Sequence, residues 1–216
     1  MDSEQQGRGK VAFPRLTLFL GGSSMAGKGD EGIPSVIERL RPLAETYARD
    51  FLDRHVILEF NCTSFDVYWL KHHFMHLCGL DCTVPQRFYR SKPKPVKSEV
   101  FFDALISGRT NGLNIRHAHN RGVTEDKLSV LPLMLLTPGS VESIAESASR
   151  DYRYFFGTNE WCVGVTLTEE LPVDPDSDVY APRTVRNVSI SSRSIKQAGT
   201  TLYPLTGARI VPPREQ

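Results

Sequence analysis

Half of the chain's six histidines and two of its four cysteines fall in a single stretch, Phe65–Cys82 (FDVYWLKHHFMHLCGLDC). Imidazole is the side chain whose ordinary pKa lies near neutrality, so a histidine held in a pocket can take and return a proton at physiological pH. The spacing predicts a helix over 65–77. In it Phe65, Trp69, His73 and, at looser register, His76 and Leu77 recur at three- and four-residue steps, while Lys71 and His72 project elsewhere. Gly79 would close this helix in a left-handed conformation. His76 would then sit in the last turn, where the helix dipole favours the imidazolium and raises its affinity for a proton. His73, sharing a stripe with Phe65 and Trp69, is expected to pack. Spacing alone allows either histidine to be a hydrogen-bonded, inert group, since pocket geometry makes such a residue catalytic.

Two other patterns could carry chemistry. The segment Gln86–Lys97 holds Arg87, Arg90, Lys92, Lys94 and Lys97 around Phe88 and Tyr89. That mixture suits a surface that contacts backbone phosphates and stacks bases, and it equally suits a solvated loop. His72 and His76, four apart, with Cys78, Cys82, His117 and His119, could hold zinc through nitrogen and sulfur. A second closely spaced cysteine pair, the usual mark of such a site, is lacking.

The elements that would position these residues change character along the chain. Lys and Arg total 26 against 25 Asp and Glu, a formal charge of +1, so there is no bulk basicity of the kind that marks many nucleic-acid binders. Hydrophobic residues at 40% and charged ones at 24% are ordinary for one globular core. Cysteine usage, the lack of a secretory leader and the lack of a long apolar run lead us to expect a cytoplasmic protein with free thiols and no membrane segment.

Residues 1–32 are polar and glycine-rich around a short strand-like run, Val11–Leu20. They are expected to form a flexible segment that the fold does not require, ahead of a domain over 33–216. Gly22–Lys28 matches a phosphate-cradling loop, but Gly29 stands where a magnesium-holding hydroxyl is needed. Met25 is a second candidate start. From Pro34 to Leu52 apolar residues form one helical stripe, interrupted by Pro42. Val56–Phe60 reads as a strand and Ser98–Ser107 as a helix capped by Ser98 and ended by Gly108. Asn111–Gly122 reads as loop or short extended chain, and Thr124–Lys127 as the opening of a helix with Leu128, Leu131, Leu135 and Leu136 inward. Ser140–Ser149 reads as another short helix. Tyr152–Leu167 reads as a hairpin, Tyr180–Val185 as a compact motif around Pro182, and Val188–Ser192 and Thr200–Val211 as extended chain. Helices first and antiparallel strands later predict an α+β fold.

In this order, Val56–Phe60, Phe74-Met-His76-Leu77-Cys78-Gly79-Leu80, Phe88-Tyr89, the Lys127-Leu128 helix, the Tyr154–Gly164 hairpin and Tyr180-Ala-Pro-Arg183-Thr184 follow one another. Together they resemble the phage and mobile-element proteins grouped as barnase-EndoU-colicin-RelE-like (BECR) nucleases, over about residues 34–211. Where members often carry Thr before the glycine, this chain has Cys78. The resemblance implies several helices packed on one face of an antiparallel sheet. It also implies a metal-independent, toxin-like or phage-associated endoribonuclease with no cofactor, RNA as substrate, and a protein inhibitor or antitoxin as a further partner.

Such cleavage uses the neighbouring 2′-hydroxyl as nucleophile, and it needs a base, an acid and cationic groups for the charged phosphorane. His76 is assigned as acid or base and Arg183 as phosphate stabiliser, with Lys127, Tyr180 and Thr184 as secondary catalytic candidates. Arg87, Arg90, Lys92, Lys94 and Lys97 are the candidate RNA contacts. The competing expectations are a catalytically silent protein- or RNA-binding module of the same fold, and the zinc protein.

Overall fold

The computed structural model describes residues 33–84, 94–136, 140–147, 151–169, 178–195 and 200–212. The N-terminal segment over 1–32 with its glycine-rich loop, and Arg87, Arg90 and Lys92 of the basic run, lie outside the described residues. The apolar stripe after Pro34 does form a helix, α1 (Ile33–Asp50), which buries Val36, Ile37, Leu40, Ala44 and Tyr47. The spacing of those five keeps them on one face.

Strands β1 (Arg54–Phe60) and β2 (Thr63–Trp69) follow as a hairpin. Asn61 and Cys62 form its turn with φ of 43° and 59°, the left-handed pair that matches the twist of two-residue hairpins. β2 corrects the expected helix over 65–77. Phe65, Val67 and Trp69 point into the main core, and all seven residues of β2 pair with β1. The helix is confined to α2 (Lys71–Cys78), closed by Gly79 at φ 69°.

After α2 come β3 (Leu80–Val84), β4 (Lys94–Pro95), α3 (Ser98–Ser107), β5 (Asn114–His117) and α4 (Arg121–Leu136). Ser98 is the first helical residue of α3, preceded by Lys97 as cap. α4 starts earlier than expected, because the Asn120 side-chain oxygen accepts the Val123 N–H at 3.0 Å and caps it. β5 occupies the stretch read as loop or extended chain, and β4, β3 and β5 make a small three-stranded sheet.

The remaining strands are β6 (Ser143–Glu146), β7 (Tyr154–Gly157), β8 (Cys162–Leu167), β9 (Val179–Arg186), β10 (Thr201–Pro204) and β11 (Gly207–Val211). β6 replaces the helix expected over 140–149: Ile144 and Ala145 are fully buried, and the strand is hydrogen-bonded on both sides, to β10 and β7. Residues 188–195 form turns instead of the extended chain expected at Val188–Ser192. There Ile190 and Ile195 cover Ala145, Phe155 and Cys162.

The large sheet has the order β10-β6-β7-β8-β9-β2-β1-β11 and is antiparallel except for the β2/β9 pair. It is strongly curled. Phe60 on β1 and Tyr203 on β10, near opposite ends of that order, have ring centroids 5.4 Å apart, and Phe65 on β2 stacks on Tyr154 of β7 at 4.8 Å. The inner face of the curl and the helices share the main core, which runs from Tyr47, Phe74 and Leu131 to Val163, Tyr180 and Val185. The fold is thus α+β with helices against one face of a mostly antiparallel sheet.

Candidate active site

Leu70, just before α2, is fixed from two directions. Its carbonyl accepts the Tyr47 hydroxyl at 2.8 Å, and its N–H donates to His73 Nδ1 at 3.1 Å. His73 is 3% exposed. Because Nδ1 is the acceptor, the ring proton of the neutral imidazole sits on Nε2. Burial, with the charges of His72, Arg183 and His76 adding to it, drives the His73 pKa down to about 3.

Folding therefore favours the neutral ring, while the unfolded chain binds a proton below about 6.5. This contribution to stability is fully present above about pH 6.5 and declines as pH falls toward 3, by at most about 1.4 kcal/mol per pH unit. Chemical denaturation across that window is expected to show the slope, and His73→Gln to flatten it.

The other end of α2 is held by α4. The His76 carbonyl accepts the Gly79 N–H at 3.1 Å and the Lys127 ammonium at 2.8 Å. Buried Thr124 donates its hydroxyl to the Gly79 carbonyl at 2.9 Å. A Cβ on Gly79 would stand 2.9 Å from Lys127 Cδ, so glycine serves both the left-handed turn and the close passage of that lysine. The result is an exposed His76 imidazole on a turn anchored from within.

Arg183 arrives through a β-bulge. β9 pairs Pro182 with Val165 and Thr184 with Gly164, leaving Arg183 as the extra residue. Alternation along an unbroken strand would put Tyr180 and Arg183 on opposite faces. The bulge restores the phase: Tyr180 and Val185, five apart, both enter the main core with Phe74 and Leu77 of α2, and Arg183, two before Val185, falls in phase with them. The same reset sends Thr184 to the opposite face, where its methyl lies over Gly164 beside Tyr152 and Phe155. Its hydroxyl is buried and donates to the Val185 carbonyl at 3.4 Å.

Electrostatics tie the pieces together. The His76 pKa is lowered by partial burial and then by Arg183, Lys127 and His72, with Asp81 acting in the opposite sense. This corrects the expectation that the helix dipole would raise it: partial desolvation and neighbouring cations outweigh the dipole. Lys127 is made more acidic mainly by burial, with Arg186 adding to that and Cys78 opposing it.

Tyr180 shares the face but donates its hydroxyl to Asp178 at 3.2 Å, and burial raises its pKa well above the usual phenol value. Lys127, bonded to the His76 carbonyl, and Arg183 thus lie within electrostatic reach of the His76 ring from two other elements, Tyr180 stands along the same strand as Arg183, and Thr184 is turned away. Lys94 and Lys97 are exposed on β4 and ahead of α3. Two partners escaped the sequence reading, Asp81 and Thr124. Asp81, two residues past Gly79 on the next strand, was open to notice; Thr124 is recognisable only once α4 is seen to cross the turn.

The zinc expectation finds no support in the arrangement. His72 faces Glu99 at 3.7 Å, the Cys78 and Cys82 thiols are buried, and no group of three or more potential ligands converges among the described residues.

The model of one protein family, described as phage-Barnase-EndoU-ColicinE5/D-RelE like nuclease4, matches residues 39–189. No curated protein and no solved structure matches the chain.

Proposed function

The chain belongs to the phage-Barnase-EndoU-ColicinE5/D-RelE like nuclease4 family, and from that premise we propose that it is a metal-independent endoribonuclease acting through His76, Arg183 and Lys127. The observation that carries this reading is the convergence of three basic groups. His76 from α2, Lys127 from α4 and Arg183 from the β9 bulge lie close enough for Lys127 and Arg183 both to weaken proton binding at His76. Cations crowded in this way gain most from a shared anion, and an RNA phosphate supplies one.

In the proposed step, His76, held neutral near pH 7, takes the proton of the 2′-hydroxyl as that oxygen attacks phosphorus. Arg183 donates to the non-bridging oxygens, whose charge grows in the transition state. The bond to the 5′-oxygen breaks, and that oxygen takes a proton from the acidified Lys127 ammonium. The products are a 2′,3′-cyclic phosphate and a free 5′-hydroxyl; water later returns the protons to their starting groups. Lys94 and Lys97 are assigned to backbone phosphates beyond the reacting one.

The family description links the chain to phages, and we extend that to a toxin-like role in the cytoplasm with a protein inhibitor or antitoxin as partner. Among the described residues, no helix is long and apolar enough to cross a membrane.

Incubation of the protein with mixed RNA in EDTA is expected to yield fragments ending in 2′,3′-cyclic phosphate. RNA left intact at high protein concentration would replace this reading with the binding module of the same fold.

A further inference from the structure

A few residues along β9 from Arg183, the partly exposed Tyr154 phenol, two carboxylates and a guanidinium form a polar rim over the inner aromatic cluster, with the Tyr180 ring buried beneath it. Tyr154 is partly exposed, stacked on Phe65 at 4.8 Å and edge-on to Tyr180 at 5.3 Å. The Arg153 guanidinium lies 5.5 Å from the Tyr154 ring centre and pairs with Glu146 at 2.9 Å. Exposed Asp178 accepts the Tyr180 hydroxyl at 3.2 Å. The carboxylates of Glu146 and Asp178 both lie within electrostatic reach of the Tyr154 phenol.

A second phosphate does not suit this rim, because two carboxylates would repel it. A nucleobase does. Bases stack on aromatic rings and guanidinium planes, and carboxylates accept hydrogen bonds from exocyclic amino groups. The bulge that turns Arg183 toward α2 also puts it on the same face as Tyr180. Three residues of β9, about 10 Å at the usual rise per residue, separate the two, so a strand of RNA held at the cation cluster passes the rim with a neighbouring nucleotide.

Resting on the nuclease reading for its substrate class, we infer that Glu146, Arg153, Tyr154 and Asp178, the last held by the Tyr180 hydroxyl, form a base-reading subsite for a nucleotide next to the scissile phosphate, selecting bases that carry an amino group over uracil. Cytosine and uracil make the cleanest comparison. They have the same ring size and differ along the pairing edge, where cytosine offers an amino donor and uracil a carbonyl.

Short 2′-O-methyl oligonucleotides of cytosine or of uracil lack the attacking hydroxyl, so their binding is read independently of cleavage. The wild-type protein is expected to bind the cytosine oligomer roughly tenfold more tightly or better, the usual worth of a well-placed base contact. Glu146→Gln with Asp178→Asn should bring the ratio close to one, in a protein whose melting temperature shows it to be folded. Equal affinity for the two oligomers in the wild type, no binding of either, or a preference that survives in the double variant would each overturn the inference. Cleavage of RNA in EDTA without a base preference would remove this subsite alone, whereas a preference without cleavage would remove the catalytic reading and leave the subsite.

Discussion

RNA cleavage by the His76→Ala protein is expected to fall roughly 10²- to 10⁴-fold, the usual worth of a general acid or base, while its melting temperature barely moves. The side chain is exposed, and the anchoring of its turn uses the backbone carbonyl, which alanine keeps. The pH dependence makes the test specific. Partial burial, Arg183 and Lys127 all disfavour the imidazolium. The limb of the rate profile belonging to His76 is therefore expected below the ordinary histidine value of about 6.5, with activity rising as the ring loses its proton. That limb should be absent in the alanine variant. His73 is the internal control: its ring is buried and accepts the Leu70 N–H, so His73→Ala should lower stability by about 1–3 kcal/mol and affect cleavage only through the folded fraction. If His73→Ala abolished turnover in a folded protein while His76→Ala left it intact, the roles assigned to the two rings would be reversed.

Arg183→Ala is expected to lose about 10²- to 10³-fold in kcat, the range seen when one donor to a developing oxyanion is removed, again with little change in stability because the guanidinium is exposed. Lysine at this position should restore only part of the activity, since an ammonium keeps the charge but loses the two-pronged geometry. The informative measurement is again the pH profile. Arg183 helps hold the His76 pKa down, so its removal should move the His76 limb upward toward 6.5 in the Arg183→Ala protein. A loss of activity with the limb unmoved would mean that Arg183 and His76 do not share a site. A single substitution thereby reads both the phosphate contact and the spatial relation on which the proposed mechanism rests.

Much of this architecture is written in local pattern. The stripe after Pro34, the apolar run Val56–Phe60, the Tyr152–Leu167 hairpin and the glycines at 79 and 108 each specify an element through rules that act over a few residues, and each element forms within two residues of where those rules place it. β2 shows where the rules become ambiguous. Phe65 and Trp69 are four apart, a spacing that puts two side chains on one face in a helix and in a strand alike. Pairing with β1 on one side and β9 on the other decided between them. β6 is too short to show a period, and its two hydrogen-bonded neighbours settled its form.

The candidate site divides along the same line. The sequence by itself determined that a histidine would sit in the last turn of a helix closed by Gly79, because capping is a local matter, and it marked Arg183 and Lys127 as residues of the right chemistry. Whether those residues meet was decided by the tertiary structure. The bulge that aligns Arg183 with Tyr180 and turns Thr184 to the far face exists only as a mismatch in length between β8 and β9, and no single strand carries that information. The direction of the His76 shift was likewise decided in three dimensions: the dipole at its helix end is a local effect, whereas burial and the two cations that overcome it come from packing, α4 and β9.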